Sequence, residues 1–108
     1  MELRDIKKND YIVFTYGDPD YRERIVGKVI SLSIPSKFKT QSVKDLDWKE
    51  KLNLDGYVKL MTTNGEEVTL CLAQAINGCT KTKRREFQTI IDSRIRNMTS
   101  AIERLKSL

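Results

Sequence analysis

The chain has 108 residues, 32% of them charged and 39% hydrophobic, with a formal net charge of +5. That length suits one domain, residues 1–108, around a single modest core. No apolar run approaches the ~20 residues of a membrane span, and Met1-Glu2-Leu3-Arg4-Asp5 has no apolar segment of the signal-peptide kind. A cytoplasmic protein with no membrane contact is therefore expected.

The chain lacks histidine altogether, which removes the commonest general base and the commonest metal ligand together. Cys71 and Cys79 offer too few ligands for zinc and read as reduced, partly buried thiols. Charge is unevenly spread. Residues 1–80 carry 12 Lys/Arg and 12 Asp/Glu, whereas residues 81–108 carry 8 and 3, so the last segment holds the whole +5.

Residues 2–10 are a charged lead-in that Leu3 and Ile6, at i and i+3, pin to the core. Tyr11 to Tyr16 is β-branched and aromatic, with nearly every position apolar, and predicts a strand covered on both faces. Gly17-Asp18-Pro19-Asp20 is turn chemistry. A second strand from about Arg22 to Ser33 completes a hairpin with a loop of about five residues. Gly27 inside that strand signals a bulge or a close backbone approach.

Pro35 ends the strand, and the long 34–55 loop that follows is polar and rich in Lys and Asp. Ser42 with Asp45 forms a capping pattern, and Val43, Leu46 and Trp48 to Leu52 fit a short helix. Trp48 and Phe38 are expected to plug one end of the core, the alternative being exposed contact residues.

Gly56 to Thr62 and Glu66 to Ala73 form the clearest hairpin. A two-residue Asn64-Gly65 turn would set Lys59 opposite Leu70. A three-residue Thr63-Asn64-Gly65 loop instead pairs Leu60 with Val68 and Val58 with Leu70, gathers the apolar side chains on one face, and puts Gly65 in the left-handed position. The three-residue loop is preferred. Leu72 to Ile76 then leads to the stop signal Asn77-Gly78, closing either a strand or one helical turn. Residues 81–108 run without Gly or Pro as a basic amphipathic helix.

Strands first and a helix last predict an α+β fold: a small antiparallel β-barrel or curled sheet of four to five strands, with a long C-terminal helix packed across one mouth or face. At the level of fold this resembles the SH3-like small barrels. The run Gly27-Lys28-Val29-Ile30 after a first hairpin resembles the KOW-type barrels of transcription and translation factors, over too short a stretch to assign any residue a role.

Enzyme readings fail in turn. Asp18, Asp20 and Glu23 lack the spacing of a calcium loop. Asp45 and Asp47 make no acid/base pair, and no Gly-rich phosphate loop or nucleophile pattern occurs. No enzyme activity, cofactor or metal is expected. The cluster Lys81, Lys83, Arg84 and Arg85 stands at the helix start, where cations oppose the macrodipole unless an anion joins them. With Thr80 or Thr82 as cap, these residues form a phosphate-binding site. Arg94 and Arg96 extend it, and Tyr11, Tyr16, Tyr21 and Tyr57 are candidate base-stacking groups. The function expected first is a non-enzymatic nucleic-acid-binding or nucleic-acid-machinery regulatory module.

The alternative uses the apolar seam of the helix: Phe87, Ile91, Ile95, Met98, Ile102 and Leu105. From Ile91 the spacing is 4, 3, 4, 3, with Ile95 and Ile102 at a and Ile91, Met98 and Leu105 at d, which suits two-stranded pairing. Its e and g residues Asp92, Thr99, Arg94 and Ala101 form no charge code, and the seam is under three heptads long. Docking on the protein's own sheet is preferred. Pairing with a partner protein or as a homodimer is the other outcome, and both hold together only if Phe87 and Ile90 dock while the distal seam stays free.

Overall fold

The computed structural model describes residues 1–108. Its five strands are β1 (Tyr11–Asp18), β2 (Tyr21–Ser33), β3 (Tyr57–Thr62), β4 (Glu67–Cys71) and β5 (Cys79–Lys81). Three α-helices, α1 (Trp48–Leu52), α2 (Leu72–Gly78) and α3 (Arg84–Lys106), join them, with 3₁₀ turns at Leu3–Asp5 and Ser36–Lys39. All strand pairs are antiparallel, in the order β4-β3-β2-β1-β5. The α+β class, the five strands and the long C-terminal helix are thus present. The sheet is open, since β4 and β5 pair only with their inner neighbours.

The first hairpin is tighter than its residues suggest. Pairing runs from Tyr11–Lys28 out to Asp18–Tyr21, leaving Pro19-Asp20 as a two-residue turn in place of the expected longer loop. The apolar pattern stops at Tyr16, but backbone hydrogen bonding does not depend on side-chain polarity. In β2 the bulge falls at Ile30, which has no partner between Val29–Leu60 and Ser31–Lys59. Gly27 serves the other expected purpose: a Cβ there would stand 3.0 Å from Leu60 Cβ and 3.1 Å from the Met61 carbonyl oxygen.

The second hairpin has the preferred register. Leu60 pairs with Val68 and Val58 with Leu70, Thr62 N–H donates to the Glu66 carbonyl at 2.9 Å, and Gly65 takes φ +77°. This is the three-residue loop with its left-handed glycine.

One face of the sheet carries the main core. Ile12, Phe14, Val29, Val58, Leu60 and Leu70 meet Leu3, Ile6, Phe38, Val43, Leu72, Ala75 and Ile76. Each fully buried Val, Leu, Ile or Phe among them contributes about 1.5–3 kcal/mol. Leu3 and Ile6 pin the lead-in as expected, at 1% and 3% exposure. The Glu2 carboxylate accepts from the Ser42 hydroxyl at 2.5 Å and from Val43 N–H at 3.0 Å. These bonds hold its pKa below the ordinary value, the Ser42 bond foremost, and tie the loop at Ser42 and Val43 to the lead-in.

Three local expectations change. Asp47, not Ser42, caps α1, through a capping box with Glu50. Phe38 plugs the core, whereas Trp48 is 66% exposed: Trp48 and Leu52, at i and i+4, share one face of α1, and that face is turned to solvent. Of the two free thiols, Cys79 is buried and Cys71 exposed, and burial pushes the Cys79 thiol up to about 11.

Candidate functional site

β5 is three residues long and pairs Lys81 with Ile12, Thr80 with Val13 and Cys79 with Phe14. Thr82 N–H extends the contact, donating to the Tyr11 carbonyl at 2.8 Å. Lys81 therefore belongs to a strand, and its Nζ ion-pairs with Asp10 at 3.4 Å. The helix starts three residues later than its basic cluster suggests. Lys83 is its N-cap and makes no side-chain cap bond, and Arg84 and Arg85 open the first turn.

The helix start crosses the second face of the sheet. On that face β1 and β2 align Tyr11 with Lys28, Val13 with Val26, and Thr15 with Arg24. Phe87 packs on Tyr11, ring centroids 5.2 Å apart, and Glu86 pairs with Arg24 at 2.5 Å. These two anchors flank Val13 and Val26, which are buried yet outside the main core. Glu86 also accepts from the Thr82 hydroxyl. That hydrogen bond, then the one from Arg24, holds the Glu86 carboxyl below the ordinary carboxylate range. The threonine thus orients an acid in place of capping the helix.

Between this helix start and the sheet lies an open cleft of about 720 Å³, lined by Arg24, Lys81, Lys83, Arg85, Glu86 and Thr89 among others. Four of those six side chains are cations. Glu86 is occupied by Arg24 and Asp10 by Lys81, while Lys83, Arg84 and Arg85 have no ion-pair partner. Lys81, Lys83 and Arg85 are brought together as expected. Arg84, next to them, does not line the cleft. Arg94 lines a separate groove of about 330 Å³ between α3 and the Thr63-Asn64-Gly65 turn, and Arg96 is exposed further along the helix.

The tyrosines do not converge on the cleft. The Tyr11 ring is taken up by Phe87 and by Lys28, whose Nζ is 5.7 Å from its centroid. Tyr16 stacks on Phe14 at 5.5 Å and bonds Glu23. Tyr16 and Tyr21 share the face of β1–β2 opposite Arg24, by their pairing with Glu23 and Asp18. Tyr57 lies on β3 against Ser31, with the hydroxyls 3.2 Å apart.

Docking of α3 stops early. Phe87, Ile90 and Ile91 are half-buried, and no residue of α3 is fully buried. Ile95, Met98, Ile102 and Leu105 are 57%, 66%, 50% and 69% exposed. The expectation that the whole seam docks on the sheet therefore fails beyond Ile91. Length explains it: 23 residues of helix extend about 35 Å, whereas five strands span about 19 Å at ~4.8 Å spacing.

The residue missed from the sequence is Arg24. Its signal was available, because it shares parity with Val26 and so lies on the face that the helix start must cross. Comparison with protein-family models, curated proteins and solved structures finds no match.

Proposed function

We propose that this protein is a non-enzymatic, cytoplasmic nucleic-acid-binding module, and that phosphates enter the cleft between the sheet and the start of α3. The observation that carries this reading is the cleft's charge: Arg24, Lys81, Lys83 and Arg85 line it with one carboxylate, Glu86, already paired to Arg24. Unpaired cations held at a helix start, where the macrodipole adds to their field, attract phosphate by charge and by hydrogen bonding. Each phosphate neutralised releases counterions, which makes such binding salt-dependent.

Lys83 and Arg85 are the primary phosphate contacts, Arg84 supports them from outside the cleft, and Arg96, roughly three helical turns on from Arg85, continues the basic track along α3, whereas Arg94 faces the separate groove by the Thr63-Asn64-Gly65 turn. Tyr21, which is 72% exposed, is the tyrosine best placed to stack on a base, and only with a strand that passes round the hairpin tip. An SH3-like reading of the sheet is supported by the return of β5 to pair with β1 and by the bulge in the long β2 that both halves of the sheet share.

Fluorescence anisotropy with labelled single-stranded and duplex oligonucleotides tests the reading. The Lys83→Ala/Arg84→Ala/Arg85→Ala variant is expected to bind at least tenfold more weakly at ~0.1 M salt, with a salt slope lower by about 2. Unchanged binding in that variant would remove the cleft as the site.

A further inference from the structure

The cleft leaves unexplained why four large aliphatic side chains stand in water on the distal half of α3. Ile95, Met98, Ile102 and Leu105 are each at least half exposed and lie at 3- and 4-residue spacing on one stripe. Ile91, the next member, is half-buried against the body and is not available. A stripe of four residues has few ways of covering itself.

We propose that the occupant is the same stripe of a second copy, in an antiparallel two-stranded pairing about a two-fold axis at Ser100. In that register Ile95 meets Leu105 of the second copy and Met98 meets its Ile102, and symmetry repeats both contacts. All four exposed seam residues are used, and half-buried Ile91 is not needed. At the middle, Thr99 faces Thr99 and Ala101 faces Ala101, small side chains that let the helices approach.

Charge selects this orientation. The antiparallel register brings Asp92 opposite Lys106 of the second copy, twice by symmetry, and Asp92 has no ion-pair partner within its own chain. A parallel pairing would set Arg94 beside Thr99 and Ala101 beside Lys106, with no ion pair. It would also place two copies of the unpaired Lys83-Arg84-Arg85 cluster side by side, whereas the antiparallel form keeps them at opposite ends. The groove of about 330 Å³ between the Thr63-Asn64-Gly65 turn and Ile91, Ile95 and Met98 leaves room for Leu105 of the second copy. The area removed is on the order of 1,000 Å², the lower bound of a specific interface, so the dimer is concentration-dependent. This pairing is independent of the nucleic-acid reading and is measured without nucleic acid.

Sedimentation equilibrium of the full chain between about 5 and 500 μM should show a monomer–dimer equilibrium. Ile102→Asp should abolish it while the circular dichroism of the sheet persists. Asp92→Lys should weaken it about fivefold, and Asp92→Lys/Lys106→Asp should restore it to within about twofold. Orientation is read by disulfide trapping in a Cys71→Ser background. Met98→Cys mixed with Ile102→Cys should cross-link, whereas neither should cross-link alone. A monomer throughout the concentration range, an unaffected dimer in Ile102→Asp, failure of the charge reversal to restore association, or cross-linking by either single variant would each overturn the proposal.

Discussion

Phe38 and Trp48 show how far a residue's own chemistry reaches. Both are large aromatics in the same polar loop, and both were candidates to plug the core. Phe38 is 1% exposed beside Leu3 and Val43, while Trp48 is 66% exposed with only Lys49 over its ring, 5.6 Å from the centroid. Truncation separates them. Phe38→Ala should cost about 3–5 kcal/mol in urea unfolding, and Trp48→Ala should stay within about 0.5 kcal/mol. Hydrophobicity marked both residues as needing cover. It could not say which would receive it, because Phe38 is covered by joining a core cluster with Leu3 and Ile6, far away in sequence.

Among elements, those with a local signal were the legible ones. The register of the second hairpin follows from the alternation of Val58, Leu60, Val68 and Leu70 together with one glycine, so it could be derived in advance. The start of α3 could not, because β5 exists only through its pairing with β1, a contact that spans most of the chain. That pairing takes Lys81 out of the helix and leaves Glu86, a first-turn acid of the favourable sign, to fasten the helix to β2. Its folded titration lies below its ordinary value, so this tether is complete at neutral pH and is lost as the pH falls through the lowered titration, beneath the usual carboxylate range. Glu86→Gln removes it at every pH. The gap in melting temperature between the two proteins should be present at pH 7 and close on strong acidification; a gap that persisted unchanged in acid would assign Glu86 another role.

At the scale of the molecule, a compact chain of this length has a radius of gyration of about 13 Å, against the 16.8 Å found here within extents of 59 × 31 × 20 Å. The excess is the free half of α3. Since none of its residues is buried, ending the chain after Ile91 should lower the radius of gyration measured by small-angle X-ray scattering to about 12–13 Å, and should shift the melting temperature by no more than about 3 °C. A larger loss of stability would mean that the distal helix supports the sheet. Composition showed that residues 81–108 are basic and amphipathic. Which part of the amphipathic face stays open depends on the width of the sheet, a quantity no local pattern encodes.

The bulge at Ile30 separates two properties of β2 that usually go together. If Ile30 is removed, Val29, Ser31 and Leu32 fall into plain in-out-in alternation opposite Leu60, Lys59 and Val58, the partners they already have. Nothing in the ladder is lost; what goes is the local bend and added twist that an extra residue supplies. A chain lacking Ile30 should therefore fold with the same pairs, detectable as the same cross-strand amide contacts by NMR, but with β3 and β4 swung to a new angle against β1. The Thr63-Asn64-Gly65 turn would move with them, away from its place beside α3. One residue thus acts as a hinge pin built into a strand, setting where the far edge of the sheet points without taking part in its bonding.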